Sequence, residues 1–147
     1  MTAAPAVVVH EVAQARAALA AAGPRGVLLL SAPGAVAGMG AAWFRALVLA
    51  AAASHPRVRW QAALDCGAAP GHVLGALRMG LRMLVLDPGV PAFAGLAALV
   101  AAEGGLLLPA RPKALDLGRV DLRRPGGQAM VAQWLCITPD DTRDTTG

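Results

Sequence analysis

The stretch "RWQAALDCGAAPGHVLGALRMGLRMLVLD", residues 59–87, holds two apolar runs that each stop on an aspartate, Asp65 and Asp87. "VRWQAALD" (58–65) and "LRMLVLD" (81–87) lack the strict alternation of a half-solvated strand. Both therefore read as buried strands of a parallel sheet. Between them a helix starts near Pro70, because proline suits the first helical turn, where its missing N–H would be unpaired anyway. The stretch is one strand-helix-strand unit.

Working outward, the same unit recurs. "VVVH" (7–10) precedes the helical "EVAQARAALAAAG", which Gly23-Pro24 closes, and "VLLLS" (27–31) precedes the breaker Ala32-Pro33-Gly34. A helix from about Val36 to Ser54 follows, ended by His55-Pro56, since a residue before proline is steered away from the helical region. Beyond Asp87 come a helix from about Pro91 to Glu103, the stop Gly104-Gly105 and a fifth strand, "LLLP" (106–109). Strand starts recur roughly every 20 to 30 residues, the length of a βα unit. The expected fold is α/β, a five-strand parallel sheet with helices on both faces in the open, flavodoxin-like arrangement. A half TIM-like barrel completed by a second copy is the alternative. One domain over residues 1–138 and a disordered tail over 139–147 complete the reading. After Arg111, "ALDLGRVDLRRPGGQAMVAQWLCI" adds an edge strand or an oligomer contact, and its Trp134 segment docks on the domain or on another copy.

Composition narrows the function. The chain has 147 residues, is 56% hydrophobic and has a net charge of +4. That length suffices for a core without disulfides or metals. The most apolar candidate span, 35–53, has Arg45 at its centre, where insertion costs about 2.5 to 3.5 kcal/mol, so no membrane span is expected. "MTAAPAVVVHEV" lacks the basic start of a signal peptide, and a cytoplasmic protein is the default. Lys113 is the one lysine, and the arginines are mostly spaced singly. A nucleic-acid partner is not expected, because that needs clustered charge on one face. Cys66 and Cys136 form no CxxC pair, which argues for free thiols in a reducing compartment.

The strand carboxyl ends form the site-bearing rim of such folds. In order they are His10, Ser31, Asp65 with Cys66, Asp87, and Arg111 with Lys113. Cys66 precedes a helix start, a position that lowers a thiol pKa. With His72 as base and Asp87 to orient it, Cys66 would be the nucleophile of a small hydrolase or lyase. The plainer reading of Cys66 is buried filler. Asp65, His72 and Asp87 are also metal-ligand types, but no metal motif is present and none is assigned. The glycine-rich turn "SAPGAVAGMG" (31–40) offers amides to a small anion at a helix start.

"LLLSAPGAVAGMGAAWF" and "LDCGAAPGHVLGALRMGLRMLVLD" resemble a family of short α/β proteins from GC-rich bacteria, over about Val7 to Pro112. The resemblance implies the fold and no functional residue. "ALRMGLRMLVLD" is also similar in pattern to the βα repeats of TIM-barrel aldolases. Their Schiff-base lysine has no counterpart within the repeats here, since Lys113 lies beyond the fifth strand. The leading expectation is a non-catalytic domain, a homodimer, binding a small anionic ligand or a protein partner through Ser31, Gly34, Asp65, Gly67 and Asp87. A scaffold with an empty rim is the third reading, and no cofactor is assigned.

Overall fold

A computed structural model describes residues 4–136. The expected tail, and the first three and last two residues of the expected domain, lie outside the described residues. Six strands form one fully parallel sheet: β1 (Ala6–Val8), β2 (Val27–Leu30), β3 (Trp60–Asp65), β4 (Met83–Val85), β5 (Leu106–Leu108) and β6 (Ala114–Asp116). The five expected strands are present. The sixth, β6, is too short to show a period and pairs with β1 at the sheet edge.

Six helices accompany them: α1 (Val12–Ala21), α2 (Ala35–Gly38), α3 (Gly40–Ala53), α4 (Gly71–Arg78), α5 (Phe93–Ala102) and α6 (Pro125–Cys136). The single helix expected over 36–54 is two, because Gly40 takes a φ of 81°, a left-handed conformation that interrupts a helix and that glycine tolerates best. Trp134 of α6 donates its indole N–H to Ala6 O at 2.7 Å, and Val131 and Leu135 enter the main core. This segment docks on its own domain.

The arrangement of helices differs from expectation. Strand order is β5-β4-β3-β2-β1-β6, so β1 to β5 always step the same way across the sheet. Right-handed crossovers that never reverse direction place their helices on the same face. The buried residues of all six helices accordingly join one cluster with Val7, Val9, Val27, Leu29, Leu64, Leu84 and Leu86. The other face holds Ala6, Val8, Leu28, Leu30, Ala63 and Val85, with no helical residue. The sheet is thus covered by helices on one face, and the reversal of strand order that marks a flavodoxin-type site is absent among β1 to β5.

The second face is closed by strand residues, Met83, Leu108 and Ala114 packing against its buried side chains. Only residues 109–113 separate Leu108 from Ala114, six Cα steps that span at most about 22 Å. Five strand spacings in a flat sheet measure about 24 Å, before the return from the carboxyl end to the amino end. The sheet therefore curls, and the connection crosses its helix-free side. Leu108 and Ala114 at its two ends pack against that face.

Candidate functional site

Parity along the strands decides which side chains reach the concave, helix-free face. Ala6 and Val8, Ala63, Val85 and Ala114 lie on it. Two residues further on come His10, Asp65, Asp87 and Asp116. The apolar face thus ends in a rim of one histidine and three carboxylates.

Ser31, Asp65, Gly67, Asp87 and Arg111 are linked in this rim by a chain of hydrogen bonds. The Asp65 amide donates to Ser31 Oγ at 2.9 Å, and Asp65 Oδ1 accepts from the Gly67 amide at 2.7 Å. Gly67 O accepts from the Asp87 amide at 2.8 Å, and Asp87 Oδ1 accepts from the Gly89 amide at 2.8 Å. Arg111, carried in by the crossing connection, donates from Nη1 to Asp65 Oδ2 at 2.7 Å and to Ser31 O at 3.0 Å. Asp65 is only 5% exposed. A buried carboxylate needs such a partner, since an unpaired one costs several kcal/mol or takes up a proton. Gly34 and Gly67 have φ values of 62° and 58°, and a Cβ on Gly67 would lie 3.7 Å from Gly34 Cα. The two glycine turns therefore meet beside the ion pair.

The remaining expected residues fall elsewhere. Cys66 is buried, its Sγ 4.0 Å from Leu64 O. Burial, with the charge of Asp65 added, pushes its thiol up to about 11, opposite to what a thiolate nucleophile needs. His72 is exposed on α4, its backbone N–H donating to Ala69 O. No hydrogen bond joins Cys66, His72 and Asp87 among the described residues, and no cluster of three metal-ligating side chains is found there.

Sequence reasoning missed Asp116. His10 Nε2 lies 2.7 Å from its Oδ1, and the Gly118 amide donates to the same oxygen at 2.9 Å. Burial raises the Asp116 pKa, but the His10 and Gly118 hydrogen bonds, with the charges of His10 and Arg119, outweigh it and hold the carboxyl below its ordinary value. One signal was available. Asp65-Cys66-Gly67, Asp87-Pro88-Gly89 and Asp116-Leu117-Gly118 share the spacing Asp-x-Gly, in which an aspartate at a strand end accepts from the amide two residues on.

Concavities among the described residues also lie away from this ion pair. One of about 510 Å³ sits at the amino ends of β3, β4 and β5, one of about 310 Å³ between α1 and α6, and one of about 800 Å³ beside Glu11, Gln14 and Arg119. No helix among the described residues is long and apolar enough to cross a membrane. No protein-family model matches the chain, and no curated protein is significantly similar to it.

Proposed function

We propose that this is a non-catalytic cytoplasmic domain that binds a small anionic ligand at the carboxyl-end rim, with Arg111 as the anchor. The observation that carries the reading is the placement of Arg111. Its Nη1 holds Asp65 and Ser31 O, while Nε and Nη2 have no protein acceptor among the described residues and the side chain is 27% exposed. An anion beside Asp65 meets a carboxylate already neutralised and a guanidinium edge suited to planar or phosphate oxygens, with the close approach of the Gly34 and Gly67 turns beside it. Free thiols at Cys66 and Cys136 support the reducing compartment. The raised pKa of Cys66 and the absence of a hydrogen bond to His72 weigh against the thiol-enzyme reading.

Native mass spectrometry on gently purified protein, repeated under denaturing conditions, tests for a retained ligand. Titration with inorganic phosphate tests the site directly. Saturable binding by the wild type that Arg111→Gln loses is the expected result. No retained mass together with no saturable phosphate binding overturns the reading.

The same reading makes the protein a homodimer through α5, and a specific observation favours this. "FAGLAALVAA" carries no polar side chain, yet only Val100 is buried, and Leu99 is 45% exposed. The neighbouring β5 is a sheet edge whose Leu106 is 51% exposed. A contiguous apolar surface of this kind marks an interaction site, and a two-fold axis pairs it with itself. Light scattering coupled to size exclusion should give a dimer for the wild type and a monomer for Leu99→Glu. A wild-type monomer at high micromolar concentration would sink the proposal.

A further inference from the structure

We propose a second ligand site at the opposite end of the sheet, in the cavity of about 510 Å³ at the amino ends of β3, β4 and β5, for a small carboxylic acid with a flat apolar body. The volume falls within the range of small-molecule sites, which are mostly apolar with a few convergent polar groups. Val48, Leu49, Trp60, Leu81, Met83 and Leu106 supply the apolar lining, and none of the described lining residues is acidic.

The polar lining of the cavity is Arg45, Gln61, Arg82 and the Trp60 indole, so its charge is wholly cationic. Arg45 is the one charged residue of α3, and it makes no ion pair or hydrogen bond within the described structure. A Cβ on Gly80 would lie 3.8 Å from Arg45 Nε, so the guanidinium lies over that turn at the wall of the cavity. The Trp60 indole N–H has no acceptor among the described residues either, unlike that of Trp134, which is bonded to Ala6 O. Arg82 is held differently. Its Nη1 donates to Leu77 O at 3.0 Å and Leu81 O at 3.2 Å, which fixes the side chain and offsets the negative carbonyl end of α4 that would otherwise repel an anion. A guanidinium over an indole-lined apolar hollow matches a carboxylate joined to an aromatic or short aliphatic body. Gly105 lets the chain run close against the start of β4 at the wall of the hollow, where a Cβ would overlap the Arg82 carbonyl.

This site is independent of the rim, which lies at the carboxyl ends, and the test separates the two. Calorimetric titration of the full chain with 2-naphthoate, beside its neutral analogue 2-naphthamide, reads both charge and shape. One saturable naphthoate site is expected, with the amide at least about ten-fold weaker, as loss of a charged hydrogen bond implies. Arg45→Gln should weaken naphthoate by about the same factor, while Arg111→Gln leaves it unchanged. Leu49→Glu, at a residue 41% exposed, places a carboxylate at the cavity and should abolish binding without unfolding the protein. Equal affinity for acid and amide, insensitivity to Arg45→Gln, or no saturable binding by the wild type each overturns the proposal.

Discussion

The two ends of this sheet treat their polar groups in opposite ways. At the carboxyl ends, Asp65, Asp87 and Asp116 each accept from the amide two residues on, and Asp65 and Asp116 hold Arg111 and His10 as well. At the amino ends, Arg45 and the Trp60 indole line a hollow and have no acceptor among the described residues. Carboxylates at strand ends attract attention as chemistry, yet here their first task is to close turns. What each end has left over is the better guide to binding: one edge of Arg111 at the rim, and Arg45 with Trp60 at the base.

The largest expected effect tests whether the rim is chiefly structural. Asp65→Ala removes the acceptor of the Gly67 amide and leaves Arg111 with Ser31 O but no carboxylate. A loss of about 3 kcal/mol follows from the buried carboxylate and the two bonds it makes, discounted because Arg111 keeps some solvent. Urea denaturation measures it, and pairing the change with Arg111→Met should recover about 1 kcal/mol of the summed cost, since the two residues are coupled. Purely additive losses would mean that the ion pair contributes nothing.

Next in size is the pH response of Cys66. Its pKa is raised from 9.0 to about 11, so the folded state holds the thiol proton more tightly than the unfolded chain does. The stability linked to that proton is whole below 9.0 and is lost as pH rises through about 11. The shift corresponds to about 2 to 3 kcal/mol. Denaturation midpoints compared for the wild type and Cys66→Ala across this window should show the slope in the wild type alone. At neutral pH iodoacetamide should label the exposed Cys136 well before Cys66. Fast labelling of Cys66 would restore the thiol-enzyme reading.

What could be read from the sequence was local. β1 to β5 were legible because runs such as "VLLL" and "MLV" are apolar without alternation, and Ser31, Asp65 and Asp87 were legible as their ends. The placement of helices on one face was not, because it follows from strand order, which no short window contains. Arg111 was visible as a strand-end cation, but its contact with Asp65 spans 46 positions and that with Ser31 spans 80. Such contacts come into being only when a five-residue connection is forced across a curled sheet. Arg45 was noticed as an obstacle to membrane insertion, and its place over the Gly80 turn depends on how α3 meets the end of α4.

The smallest effect concerns His10 and Asp116, which fasten β6 to β1 across 106 residues of sequence. Both side chains are more than a third exposed, so solvent screens the pair and replacing His10 by alanine should cost less than about 1 kcal/mol. Its pH dependence carries the information. Because the Asp116 carboxyl is held below its ordinary value, its contribution is present above that value and is lost as pH falls through the lowered one. Hydrogen exchange at the β6 amides, followed through the acid range, should therefore show this edge opening before β2 and β3, and opening earlier in His10→Ala. If β6 stays protected until the whole sheet unfolds, the edge is held by the crossing connection and by Leu115 and Leu117 in the core. The His10–Asp116 pair would then be free to serve the solvent-facing concavity beside it rather than the fold.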